Sequence, residues 1–167
     1  MPINNCGDPF SGSNYKLNTH EFEQNVIMFF AKLYHLHSNY WGYVTNGGTE
    51  GNLCAINIAK NIYKDGIIYY STSSHYSVPK AINMTRSQSI MINSDASGEI
   101  DYNHLLNQLT KNQSKPAIII CNIGTTVTGA IDNLDTIKSI LKKASISQSV
   151  LYSLRCCISR YDTTVSR

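Results

Sequence analysis

Two apolar runs constrain this chain most: Ile67-Ile-Tyr-Tyr-Ser71, and Pro116–Asn122 with Ala-Ile-Ile-Ile-Cys at its centre. Neither alternates apolar with polar residues, so each reads as a strand covered on both faces, as in a parallel sheet sandwiched by helices. The segments around them supply those helices. Phe22, Val26, Phe29, Phe30, Leu33 and Leu36 fall on one helical face that runs to about His37. A capping box at Asn18-Thr-His-Glu21 opens it, with Asn18 or Thr19 as N-cap. Tyr40–Thr45, aromatic and β-branched, predicts a strand, and Asn46-Gly-Gly-Thr49 breaks it. Glu50–Lys64 returns to helical spacing through Leu53, Ile56, Ala59, Ile62 and Tyr63, and Asp65-Gly66 is a turn.

The alternation continues downstream. Ser77–Arg86 predicts a helix with Pro79 in its first turn, and Ser89–Ile92 a strand. Ser97-Gly98 marks a turn, and Asp101 caps a helix carrying Leu105, Leu106 and Leu109. Leu134–Lys143 places Leu134, Ile137, Ile140 and Leu141 on one face. Strands separated by helices in this way make βαβ units, so the fold class expected is α/β, a mostly parallel sheet with flanking helices. After Ala144 the pattern fails, and nothing in Ser145–Arg167 reads as the next strand.

Composition narrows the function. With 42% apolar and 15% charged residues the chain can bury a core, which excludes wholesale disorder. A net charge of +3, scattered along the sequence, is too mild for a nucleic-acid footprint. No apolar run reaches the roughly 18–20 residues of a membrane span, and Met1–Pro9 has no secretory pattern, so a cytoplasmic protein is expected. Cys6, Cys54, Cys121 and the adjacent Cys156 and Cys157 form no C-x-x-C pair. They read as small buried hydrophobes, with no metal site.

Three polar clusters sit at successive strand ends. Asn46-Gly-Gly-Thr-Glu-Gly-Asn52 precedes a helix, where glycines allow close backbone approach and free amides suit an anion. The spacing is neither G-x-G-x-x-G nor a P-loop, and a tight turn without ligand accounts for the same residues. Ser74-His75-Tyr76-Ser77 places an imidazole where open α/β sheets hold ligands, although a helix-entry histidine with an ordinary hydrogen bond fits equally. Asn122-Ile-Gly-Thr-Thr126 adds hydroxyls and a glycine at a third strand end, or a plain Gly-Thr turn. Convergence of all three on one crevice favours a polar ligand.

Taken together these stretches resemble the pyridoxal-phosphate-dependent group II amino-acid decarboxylases, in particular the plant histidine/serine decarboxylase-like branch. The resemblance rests on Ile3-Asn-Asn-Cys-Gly-Asp-Pro-Phe10, Tyr40-Trp-Gly-Tyr-Val-Thr-Asn-Gly-Gly-Thr-Glu-Gly-Asn52, Ser74-His-Tyr-Ser-Val78, Ser97-Gly-Glu-Ile-Asp101, Lys115-Pro-Ala-Ile118 and Asn122-Ile-Gly-Thr-Thr126. It implies a type I, aminotransferase-like large domain, pyridoxal 5'-phosphate as cofactor, a homodimer, and carboxy-lyase chemistry on an amino acid, histidine or serine first. It also implies roles for four residues. Gly48 and Thr49 would hold the cofactor phosphate, His75 would stack on the pyridine ring near the reacting carbon, and Thr125 would touch the ring face or phenolic oxygen. The cofactor is then the electron sink, and the protein supplies binding and orientation.

Two elements of that family pattern have no counterpart in the sequence. They are an aspartate in a His-Cys-Asp-Ala-Ala-like motif, which pairs with the pyridine nitrogen, and the Schiff-base lysine of a Ser-Gly-His-Lys-like motif. Residues 1–144 therefore read as part of the large domain, truncated at both ends, and 145–167 as an out-of-frame tail. Val150-Leu-Tyr-Ser-Leu-Arg-Cys-Cys157, written GTT TTA TAT TCA CTG CGA TGC TGC and followed by A, reads Phe-Tyr-Ile-His-Cys-Asp-Ala-Ala one base forward. That places an aspartate over Arg155 and implies a frameshift near Ser149, in the gene or its reading, the alternative being an ordinary divergent C-terminus. On this expectation the chain alone is a poor catalyst. The alternatives are another type I cofactor-dependent enzyme, a non-catalytic fragment that pairs with intact homologues, or a pseudogene product.

Overall fold

The computed structural model describes residues 5–13 and 15–146, and the backbone of 149–155. The chain divides into two compact units between Asn46 and Gly47.

In the first unit the principal element is α1, His20–Leu33. Thr19 is the N-cap but makes no side-chain cap bond. Asn18 Oδ1 instead accepts from the His20 amide at 3.1 Å, and Asn5 Oδ1 accepts from the Thr19 amide at 2.8 Å. The helix ends at Leu33 rather than near His37, because His35 turns into the left-handed region at φ 52°. The face expected to be buried is largely exposed, with Phe22 at 71% and Phe29 at 62%, and only His20 and Ala31 are buried in α1. Tyr40–Thr45 is not a strand. Its backbone bonds to a side chain instead, the Val44 amide donating to Glu23 Oε1 at 2.8 Å.

The second unit holds the sheet. Its elements are α2 (Gly48–Ile62), β1 (Ile67–Ser71), α3 (Ser77–Met84), β2 (Gln88–Ile92), α4 (Tyr102–Lys111), β3 (Ala117–Ile123), α5 (Leu134–Lys143) and β4 (Ser149–Arg155). All strand pairs are parallel, in the order β2-β1-β3-β4. Ile67 lies opposite Gln88 on one side and Ala117 on the other. The strand β4 overturns the expectation that no further strand follows Ala144. Its Val-Leu-Tyr run pairs along the whole of β3, from Ala117↔Ser149 to Ile123↔Arg155. A strand is completed by its neighbour, and the ladder groups of β3 offer one. The expectation for 156–167, including Cys156 and Cys157, lies outside the described residues.

Side chains leave a strand alternately to opposite faces, and the two cores follow that period. Ile67, Tyr69, Ala117, Ile119 and Cys121 pack with Leu105, Leu109, Ile137 and Ile140 of α4 and α5. Ile68, Ile118 and Ile120 pack with Ile56, Ala59, Val78, Ala81 and Ile82 of α2 and α3. Every residue of β3 is buried, which explains its unbroken apolar run. Burial also pushes the Tyr69 phenol up to about 12. The cysteines divide: Cys121 is buried and Cys54 intermediate, but Cys6 is exposed, contrary to expectation, because the loop carrying it lies at the surface.

Candidate functional site

Parallel strands put their carboxyl ends on one side, and the loops leaving β1, β2 and β3 gather there. They enclose a cleft of about 640 Å³ lined by Ser74, His75 and Tyr76 after β1, Asp95 and Gly98 after β2, and Thr125–Thr128 after β3. That size suits a small organic ligand. Two of the residues implicated by sequence, His75 and Thr125, thus meet in one cleft. Gly48 and Thr49 are not among its lining residues.

Hydroxyls staple these loops together. Thr72 Oγ1 donates to Ser94 Oγ at 2.9 Å, and the Ser94 amide returns a bond to Thr72 Oγ1 at 3.0 Å. Asp95 accepts from the Ser97 hydroxyl at 2.6 Å and from the amides of Ser97 and Glu99, which hold its carboxyl below the ordinary value. After β3 the chain folds back on itself. The Gly124 and Thr125 amides donate to Ala130 O, and the Ala130 amide donates to Thr125 Oγ1, each at 3.0 Å. Thr125 Oγ1 also lies 2.7 Å from Thr128 Oγ1. Beneath this loop, buried Asp132 accepts from the Asn122 amide at 2.6 Å, Asn122 Nδ2 at 3.0 Å and the Ile100 amide at 2.8 Å. Asn122 Nδ2 reaches Ser71 Oγ at 3.0 Å as well, so the ends of β1 and β3 are tied side to side.

The Asn46–Asn52 cluster is not a separate loop, because α2 already begins at Gly48. Gly47 sits at φ 152°, ψ 173°, a region essentially reserved for glycine, with room around it. Its carbonyl accepts from the amides of Glu50 and Gly51, which closes the first turn. The amides of Gly48 and Thr49 lie ahead of that turn and have no helical acceptor. Asn52, one turn further along, donates through Nδ2 to Ser77 Oγ at 2.7 Å, and Ser77 Oγ lies 2.8 Å from His75 Nδ1. The start of α2 is thereby joined to the wall of the cleft. The Tyr76 ring packs 4.2 Å from that of His75 at 44°.

These residues fit pyridoxal phosphate. Helix-start amides and the Thr49 hydroxyl suit its phosphate, the His75 face suits its flat ring, and hydroxyls at Thr125 and Thr128 suit its polar edge. A further cleft residue carries an unused polar atom: Ser74 Oγ is buried without a hydrogen-bond partner among the described residues. In the sequence Ser74 opens the Ser74-His-Tyr-Ser-Val78 stretch, with nothing local to set it apart from the serines around it. Asn52, Asp95 and Thr128 carry no sequence signal of their own either: Asn52 meets Ser77 from 25 positions away, and the bonds of Asp95 and Thr128 are those of ordinary turns.

Comparison with known proteins shows the family. The chain is 48% identical to serine decarboxylase 1 of Oryza sativa subsp. japonica over 84% of its own length and 30% of the relative's. It is 44% identical to a histidine decarboxylase of Vibrio anguillarum over 90% of its length and 39% of that protein. In structure it matches L-methionine decarboxylase of Streptomyces sp. 590 with a TM-score of 0.77 at 24% identity, covering 86% of this chain and 39% of that one. The chain therefore spans well under half the length of these relatives. The pyridoxal-dependent decarboxylase conserved domain matches residues 19–150, and the chain belongs to that family.

Proposed function

We propose that the chain is the cofactor-binding part of an amino-acid decarboxylase, a cytoplasmic homodimer that holds pyridoxal 5'-phosphate with Gly48, Thr49, His75 and Thr125 and takes histidine or serine. The observation that carries this reading is the meeting of His75 and Thr125 in one cleft at the carboxyl ends of parallel strands, with the start of α2 tied to it through Asn52. When bound, the cofactor withdraws electrons from the amino acid so that carbon dioxide can leave. The chain's own part is to bind and orient. Helix-start amides and the Thr49 hydroxyl take the phosphate, the His75 ring covers one face, and Thr125 offers a hydroxyl held by Ala130. The names of the relatives support serine and histidine as substrates. No segment of the chain carries the Ser-Gly-His-Lys-like motif, and the chain alone is expected to release carbon dioxide only slowly.

Equilibrium dialysis with pyridoxal phosphate tests the reading. The chain should bind the cofactor, and His75→Ala and Thr49→Val should each weaken binding about tenfold, equivalent to about 1.4 kcal/mol. Binding unaffected by both substitutions, or none in the intact chain, overturns it.

A non-catalytic fragment that pairs with an intact homologue is the second reading. It is favoured by the exposed Phe22, Phe29 and Leu33 of α1. Light scattering of the chain alone and mixed with an intact homologue distinguishes the two, since only pairing yields a mixed species.

A further inference from the structure

We propose that Asn52 and Ser77 form a relay that fixes His75 as the tautomer protonated on Nε2, so that the ring reaches the cleft with its donor on that nitrogen. The inference deepens the reading of His75 as the residue that faces the ligand ring, and rests on it.

The polarity of the relay is set by the one donor that cannot turn round. The backbone amide of Ser77 donates to His75 Nδ1 at 3.3 Å. A ring nitrogen that accepts carries no proton, so the neutral imidazole keeps its hydrogen on Nε2. The Ser77 hydroxyl, 2.8 Å from the same Nδ1, must then donate to it. Its lone pairs are left for Asn52 Nδ2, 2.7 Å away. The opposite polarity would place a hydrogen on Nδ1 facing the amide hydrogen of Ser77, which the geometry penalises.

The position of Asn52 supports a role beyond packing. The buried residues of α2 are Asn52, Ile56 and Ala59, a helical stripe pressed against an apolar core. An amide in that stripe needs a partner, and its partner is Ser77, itself only 1% exposed. Asn52 and Ser77 are therefore positioning residues, acting on the ligand through His75.

The test reads the tautomer directly, with the full chain and no cofactor. Long-range 1H–15N correlation of the histidine rings at about pH 8.5, where an ordinary imidazole is neutral, separates protonated from unprotonated ring nitrogens. His75 is assigned by its loss in His75→Gln. In the intact chain Nδ1 should report as unprotonated and Nε2 as protonated. Ser77→Thr, which keeps the hydroxyl, should preserve that pattern. Asn52→Asp draws the Ser77 proton towards a carboxylate and turns a lone pair to the ring, which leaves the longer bond from the Ser77 amide alone against a proton on Nδ1, so the Nδ1-protonated form should grow at the expense of the other. His104, whose Nδ1 accepts from the Asn93 amide at 3.1 Å, should stay unchanged and reports that each variant is folded. A proton on Nδ1 in the intact chain, or an unchanged tautomer in folded Asn52→Asp, overturns the relay. Pyridoxal phosphate dialysis of the intact chain separates the two claims: no binding with the tautomer as stated sinks the function reading, and binding with a proton on Nδ1 sinks the relay alone.

Discussion

Gly98 and Thr128 approach so closely that a β-carbon on Gly98 would lie 3.1 Å from Thr128 Cβ and 3.2 Å from its Cγ2, and nearer still to Oγ1. The two residues belong to different loops of the cleft, one after β2 and one after β3. Their contact sets how the two walls meet.

Gly98→Ala therefore meets two obstacles, the overlap with Thr128 and a φ of +93° that L residues rarely adopt. The expected cost is about 2 kcal/mol or more in urea unfolding. Thr128→Gly in the same chain removes the overlap but not the backbone strain, so it should recover only part of the loss. Full additivity of the two substitutions would show that the contact is not the cause.

Asp132 gives a pH dependence of known sign. Burial holds its carboxyl above the ordinary 3.8, against the amides of Asn122 and Ile100, which pull it down. An acid raised on folding holds its proton more tightly in the native state. Its stabilising contribution is fully present below the unfolded value and is lost as pH rises through the folded value. As pH rises above the ordinary carboxylate range the intact chain should lose stability relative to Asp132→Asn. At pH 4 the variant should be weaker by about 1–3 kcal/mol, because an amide cannot accept from all three donors. Parallel unfolding midpoints over that rise would refute the assignment.

Asp101 accepts from the amides of Asn103 and His104 at 3.0 and 2.9 Å and so caps α4 with its side chain. Asp101→Ala should cost about 1 kcal/mol. Asn133, which accepts from the Thr136 amide at 2.9 Å, caps α5 in the same way and should behave alike. Chemical denaturation of the two single variants checks both.

Thiol labelling should distinguish the cysteines. Cys6 is exposed and should react with a maleimide at once, whereas Cys121 is fully buried and its thiol is pushed well up by burial, with Asp132 adding to it. Peptide mass mapping should find Cys121 modified only after unfolding. Early labelling of Cys121 would contradict its place in the core.

What sequence showed and what it hid differ by the range of the interaction. The bounds of β1 and α5 match the structure because each is decided locally, by an apolar run or by a helical face with Asn133 before it. Tyr40–Thr45 has strand-type residues but no ladder, and Ser149–Arg155 looked irregular yet pairs with β3. In both, the deciding partner is remote in sequence. The same holds at the site. His75 and Thr125 stood out as chemically apt residues at strand ends, whereas Asn52 became visible only through its contact with Ser77.

The strand order β2-β1-β3-β4 also fixes how far along the chain each strand finds its neighbours. Ile67 pairs with Gln88 after a short crossover and with Ala117 only after a longer one. The longer closure adds little equilibrium cost, about 0.6 kcal/mol for each doubling of the loop. Its effect is on timing: a β1–β2 pair with α3 across it can form first, and β3 then docks against an edge already aligned. The cleft, which needs the loops after β1, β2 and β3, is complete only once β3 has docked.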